Sequence, residues 1–229
     1  MGGADDAKRR AAEHAASLVH DGMVLGLGTG STANLMLAAL AARVRDGLKV
    51  RGVPTSETTM QLARHLGVPL TTLDDDPQLD LTLDGADEVD PQFRLIKGLG
   101  GALLREKVVA AASRRVCIMV DEGKLVAKLG TKAPVPVEVA RFAWQPVQAR
   151  LRAIGAEPAL RRTPDGAAFV SDNGNVILDA RFARGIDQPE ELERALNNIP
   201  GVMENGLFLG LATEVVVGSA AGARMLRRA

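Results

Sequence analysis

The chain of 229 residues has one cysteine, Cys117, so no disulfide framework can brace it. Such a composition suits a reducing cytoplasm. Cys117 stands inside the apolar run VCIMV, where the expected role is a buried core thiol and not a nucleophile or metal ligand. Histidine is also scarce. His14, His20 and His65 fall on stretches that read as helices and share no ligand spacing, which argues against a transition-metal site. Neither sign of charge is in excess, since Lys plus Arg and Asp plus Glu number 28 each. The chain therefore has no basic field to draw it to nucleic acid and no acidic surplus that would keep it disordered. No apolar run reaches the roughly 18 residues that a membrane span needs. The amino-terminal stretch MGGADDAKRRAAEHAA lacks the apolar core of a signal peptide. Internal repeats and low-complexity segments are absent as well. These absences leave a cytoplasmic protein whose natural partner is small and soluble.

The length accommodates one domain with a smaller companion. From Asp5 to Asp21 the alanine-rich spacing reads as a helix stopped by Gly22, and the strand MVLGL follows. The stretch STANLMLAALAARV reads as a helix with Ser31 or Thr32 as its N-cap. The strand LKVRGV, the helix ETTMQLARHL stopped by Gly67, and the strand LDLTLD continue a β-α-β-α-β alternation. That alternation predicts a parallel sheet wrapped by helices. The helix ALLREKVVAAAS and the strand RRVCIMV extend it. Near TKAPVPVEVARFAW the texture changes, with prolines at 134, 136 and 146, and a boundary belongs around Gly130. Residues 131–205 then read as a small α+β domain with strands PALRRT, AAFVSD and NVILDA and the helix PEELERALNNI. The turn Asp172–Asn175 is its hairpin signal. The strand LFLGLATEVVVG returns the chain to the first domain, 1–130 with 206–229, and SAAGARMLRRA reads as a terminal helix.

Three clusters could carry chemistry. In the first, GLGTGSTA, glycines alternate with other residues after a strand, and Thr29, Gly30, Ser31 and Thr32 open a helix. Glycines allow close backbone approach, and a helix start with free N–H groups and hydroxyls suits a phosphate. The run Gly28–Ala33 also fits a G-x-G-x-x-A dinucleotide fingerprint, but the acid that would hold a ribose hydroxyl is missing where Pro54, Thr55 and Ser56 stand. A Walker loop is excluded by the absent lysine, and a plain tight turn needs fewer glycines and hydroxyls than these. The second cluster, LTLDGADEVD, runs an apolar strand into Asp84, Asp87, Glu88 and Asp90, with room at Gly85 and Ala86. Carboxylates at a strand's carboxyl end could grip sugar hydroxyls or shuttle protons, though a solvated acidic turn or a magnesium site would look the same. The third, LIKGLGGALLREK, sets Lys97 before Gly98, Leu99 and Gly100, and Glu106 in the next helix. Helical periodicity does not tell whether Glu106 or Lys107 faces inward.

The motifs GLGTGSTA, DGADEVD, KGLGGALLREK, DEGKLV and NGNVILD stand in the order found in ribose-5-phosphate isomerases of type A, which the chain resembles over nearly its whole length. The resemblance implies a Rossmann-like parallel-sheet domain with an inserted α+β, ferredoxin-like domain. It also implies a homodimer or homotetramer and an isomerase that interconverts D-ribose 5-phosphate and D-ribulose 5-phosphate in the pentose phosphate pathway without metal or cofactor. Carried over, the catalytic base falls on Glu106; in the chemistry such an isomerisation needs, Lys97 would stabilise the developing oxyanion and Asp84 and Asp87 would hold or relay the hydroxyl protons. The substrate-binding loops fall on Thr29 to Thr32, Asp84 to Asp87 and Lys97 to Gly100, with a further ligand lysine at Lys124 and Lys8 as a further candidate for the phosphate. One departure is Gly123, where relatives are expected to have serine. A rival from another class is a non-catalytic sugar-phosphate-binding regulator of related fold, which would carry a DNA-binding segment. An aminosugar-phosphate deaminase would need a loop histidine. Neither feature is in the sequence.

Overall fold

The computed structural model describes residues 3–227. Its elements begin with α1 (Gly3–Ser17), β1 (Val24–Leu27), α2 (Ser31–Arg45), β2 (Arg51–Pro54), α3 (Glu57–Leu66), β3 (Leu81–Gly85), β4 (Glu88–Val89) and β5 (Leu95–Ile96). They continue with α4 (Leu103–Ala111), β6 (Val116–Asp121), β7 (Val135–Val139), α5 (Trp144–Ala153), β8 (Glu157–Leu160), β9 (Val176–Arg181) and α6 (Pro189–Asn197). The last strands are β10 (Val202–Asn205), β11 (Leu207–Phe208), β12 (Glu214–Ser219) and β13 (Gly222–Arg227). The chain divides into two compact units. One takes the chain up to Ala86, Arg105–Leu125 and the residues from Gly210 on; the other takes Asp87–Leu104 and Val126–Leu209.

The first unit is built on a six-stranded sheet in the order β13-β12-β6-β3-β1-β2. Its strands are parallel except β13, which returns antiparallel to β12. Strands of such a sheet are covered on both faces and read as unbroken apolar runs; Val24–Leu27 and the VCIMV of β6 are buried at every position. Helix α1 buries an alanine face, Ala7, Ala11, Ala12, Ala15 and Ala16. Small side chains let it come so close to β12 that a Cβ on Gly218 would overlap the carbonyl oxygen of Ala7. The core gathers Leu25, Leu27, Leu37, Leu40, Leu81, Leu83 and Val216. Cys117 is packed there with no exposure, and burial pushes its thiol well above the ordinary range.

Helix α2 is not capped by Ser31 or Thr32: its N-cap is Gly30, at φ 112°, and no side chain caps it. The segment SAAGARMLRRA, read as a helix, is instead the strand β13 as far as Arg227, joined to β12 by a two-residue turn with Ser219 opposite Gly222. Its helix-favouring alanines and arginines are overruled by a ladder with the edge of β12, a pairing that local propensity cannot register.

The second unit carries an antiparallel sheet in the order β10-β7-β9-β8, built by β7-α5-β8-β9-α6-β10. That is a ferredoxin-like arrangement. Its core includes Val135, Val137, Val139, Val147, Leu151, Leu178 and Leu196. A small sheet, β11-β5-β4, belongs to the same unit. The stretch Asp87–Leu104, expected from its sequence in the parallel-sheet domain, clusters here because Leu95 and Ile96 pair with Phe208 and Leu207. The stretch AAFVSD, read as a strand, makes only isolated bridges at Ala168 and Val170.

Candidate active site

In the first unit the parallel strands bring the glycine loop, Asp84 and Lys124 to one edge. With Leu27 opposite Leu83, and Gly85 opposite Met119, the carboxyl ends of β1, β3 and β6 line up. This is the edge at which open α/β sheets hold their ligands. The glycine loop leaves β1 there, Asp84 closes β3, and Lys124 lies half-buried in the 3-10 turn Glu122–Lys124 that follows β6.

Asp84, 1% exposed, organises the glycine loop as well as lining it. Its Oδ1 accepts the N–H of Thr29 at 3.1 Å and that of Gly85 at 2.7 Å. The loop passes so near that a Cβ on Gly28 would overlap the same carboxylate, so only glycine fits there. The Thr29 hydroxyl points into a cluster with Thr55 (2.8 Å), Ser56 (2.8 Å) and Thr59 (3.0 Å). Thr59 in turn donates to the Gly28 carbonyl at 3.0 Å, and Thr55 to that of Leu27 at 3.0 Å. Sequence reasoning missed this scaffold, although the run TSETT, with Ser56 capping α3, carries its signal.

Ser31 and Thr32 differ from Thr29. Ser31 is exposed and Thr32 half-buried, and among the described residues neither hydroxyl has a partner within the protein. Gly30 places no side chain over the helix start, so the first N–H groups of α2 face outward uncapped. Uncapped N–H groups at the positive end of a helix, with two hydroxyls beside them, suit an anion. Lys8 in α1 stands 3.9 Å from Asp5.

The choice between Glu106 and Lys107 is decided by burial. Glu106 is 4% exposed, whereas Lys107 is half-buried. Glu106 lies in the first turn of α4, where the helix dipole favours a carboxylate. Its neighbour Arg105 turns to Glu57, Nη1 to Oε1 at 2.8 Å.

The second unit holds Asp87 and the loop Lys97–Gly100. Lys97 is 3% exposed, and its Nζ stands 5.4 Å from the centroid of the Phe208 ring. Buried ammonium groups are costly, and an aromatic face offsets part of that cost. The Lys97 N–H donates to the Gly206 carbonyl at 2.9 Å. Asp87 accepts the N–H of Leu99 on Oδ2 at 3.0 Å and donates its own N–H to Ile96 at 2.8 Å. Gly98 is buried at φ +101°, while Leu99 and Gly100 are exposed. Among the described residues no group of three or more His, Cys, Asp or Glu is arranged to hold a metal ion. Nor, among them, is any helix long and apolar enough to cross a membrane.

Residues 51–222 match the sequence model of the family described as ribose 5-phosphate isomerase A (phosphoriboisomerase A). The chain is 57% identical over 212 residues to ribose-5-phosphate isomerase A of Roseiflexus sp. (strain RS-1), covering 92% of this chain and 91% of that one. Its fold is similar to the structure of ribose 5-phosphate isomerase A from Methanocaldococcus jannaschii, with TM-score 0.92, 44% identity and coverage of 97% and 98%. It is also similar to a D-ribose-5-phosphate isomerase solved in complex with phospho-erythronic acid, with TM-score 0.95, 40% identity and coverage of 98% and 99%.

Proposed function

The chain belongs to the ribose 5-phosphate isomerase A family, and from that premise we propose that it interconverts D-ribose 5-phosphate and D-ribulose 5-phosphate with Glu106 as its base. The observation that carries the assignment is the burial of this one carboxylate in the first turn of α4, beside a half-buried lysine. In the open-chain aldose Glu106 takes the proton from C2. The C–H electron pair forms the C1–C2 double bond, and the carbonyl pair moves onto O1. The ammonium of Lys97 stabilises that oxyanion, an effect often the largest in such reactions. A proton passes from the C2 hydroxyl to O1 with Asp84 and Asp87 holding the hydroxyls, and Glu106 returns its proton to C1. No atom is gained or lost.

The phosphate is assigned to the helix start at Gly30, Ser31 and Thr32, with Lys124 as a further cation. Binding energy from this remote group aligns the reacting carbons. The chemistry calls for no metal, so activity is expected to survive exhaustive chelation. The relatives' names favour this enzymatic reading over a regulatory module. A cytoplasmic location and a homodimer or homotetramer, with the 131–205 domain taking part in assembly, complete the proposal.

The test is solvent exchange. With Glu106→Gln in deuterated water, ribose 5-phosphate should still bind but take up no deuterium at C2 by NMR. Rapid deuterium entry in that variant would assign the base to another residue.

A further inference from the structure

The turn Gly98–Gly101 makes one hydrogen bond of its own, from the Gly101 N–H to the Gly98 carbonyl at 2.9 Å, and has glycines at φ +101° and +86°. Glycines accept several backbone conformations at little cost, so a turn like this does not itself fix how its peptide planes point. In this unit they are held from outside. Arg161 Nη1 donates to the carbonyls of both Gly98 and Leu99, each at 3.0 Å. Asp179 on β9 anchors the guanidinium, accepting Nε on Oδ2 at 3.0 Å and Nη2 on Oδ1. The guanidinium carbon lies 5.8 Å from the centroid of the Phe169 ring. That ring backs the turn, so close that a Cβ on Gly101 would stand 2.5 Å from Cζ.

A trans peptide points its C=O and N–H in opposite directions. By holding the Leu99 carbonyl, Arg161 turns the Gly100 N–H the other way, and among the described residues that exposed N–H meets no acceptor. We propose that Arg161 is a positioning residue of the isomerase: it fixes the Leu99–Gly100 peptide so that the Gly100 N–H is a preset donor to an oxygen of the sugar phosphate. The inference rests on the assignment of Lys97–Gly100 to the substrate. Preset donors need no reorganisation when the ligand arrives, so the role belongs to binding.

The experiment compares Arg161→Met, Arg161→Lys and Lys97→Met in steady-state kinetics with ribose 5-phosphate, each with its melting temperature. For folded Arg161→Met, KM should rise about tenfold, the value of roughly one hydrogen bond to a charged acceptor, while kcat stays within about threefold. Arg161→Lys, which restores a cation but not the fork, should recover part of the loss, and added guanidinium ion should lower the KM of Arg161→Met. If Arg161→Met does not fold, Asp179→Asn, which loosens the anchor, should raise KM by a smaller factor with kcat held. An unchanged KM in the folded variant, or no response to guanidinium, overturns the positioning role. If Lys97→Met still impairs the enzyme in that case, the substrate loop stands and only the role of Arg161 falls. If Lys97→Met also leaves both constants unaltered, the loop assignment itself fails.

Discussion

The second unit buries Glu88 and Glu138 with no exposure at all, and the first buries Asp84 and Glu106 at 1% and 4%. In the second unit these acids tie loops down. Glu88 takes the N–H groups of Lys132 and Ala133 on one oxygen and that of Gly130 on the other, at 2.5, 2.6 and 2.6 Å. Glu138 takes Ser171, Asn173 and Asn175 on Oε1 at 2.7, 3.0 and 2.9 Å, fastening the hairpin turn that follows Val170. In the first unit Asp84 lies at the carboxyl end of a parallel strand, and Glu106 lies in the first turn of a helix. Burial alone therefore does not mark a reactive carboxylate. Asp84 also holds a loop, through the N–H groups of Thr29 and Gly85; what sets Asp84 and Glu106 apart is their place at a strand's carboxyl end and in the first turn of a helix.

The strongest way to break this comparison is to neutralise one acid of each kind. Glu106→Gln should lower kcat by about 10²–10⁴, the range of general acid–base catalysis, and leave the melting temperature within a few degrees. Glu138→Gln should leave kcat within about twofold in a folded protein. Parallel activity and thermal-unfolding measurements check both, and a large kcat loss in Glu138→Gln would erase the distinction. Next in size is Glu88→Ala, which strips the acceptor from three backbone N–H groups. At roughly 1–3 kcal/mol for each buried donor left unsatisfied, stability should fall by about 3 kcal/mol or more, read as a lower urea midpoint.

The run DGADEVD shows how far the sequence could be read. Four acids stood together in it, and ligand-edge reasoning picked out Asp84 and Asp87. It could not assign Glu88, whose partners at 130–133 lie more than 40 residues on in the chain. Asp90 likewise serves its own loop, accepting the N–H groups of Gln92 and Arg94 and the Arg94 side chain. The parallel alternation of the first unit was legible because apolar strands and capped helices are local signals. Gly67, for instance, ends α3 at φ +77°, as its position after the helix foretold. The strand β13 was not legible, because its stability comes from the edge of β12. Arg161 escaped notice for a similar reason: an arginine in a strand-like run gives no sign that two carbonyls more than 60 residues earlier await it.

Two threonines of the glycine loop sharpen the comparison within the first unit, at a smaller scale. Thr32→Val removes a hydroxyl with no partner among the described residues and should raise KM for ribose 5-phosphate about tenfold, as expected for one hydrogen bond to an anion, without altering the urea midpoint. Thr29→Val removes a hydroxyl bound to three others and should lower the free energy of unfolding by about 1–3 kcal/mol, read as a lower urea midpoint. If both variants changed only stability, the phosphate would not sit at this helix start.

The smallest effect concerns an acid of the first unit that lies away from the ligand edge. Arg51 on β2 grips Asp76 with Nε to Oδ2 at 2.6 Å and Nη2 to Oδ1 at 2.5 Å, and the Thr71 hydroxyl adds a bond at 2.7 Å. Hydrogen bonds from Arg51 and then from Thr71 lower the Asp76 carboxyl from 3.8 to about 2. A carboxylate whose pKa is lower folded than unfolded stabilises the fold above its unfolded pKa, and that support is lost as pH falls through the folded one. The contribution should be whole at pH 5 and above and decline from about pH 4 toward pH 2. Asp76→Asn should therefore lower the urea midpoint slightly at pH 6, and the gap from wild type should close by pH 2. Because the pair is away from the ligand edge, kcat and KM at pH 7 should not move. A gap that stayed constant from pH 6 to pH 2 would mean that the ionised carboxylate is not what Arg51 holds.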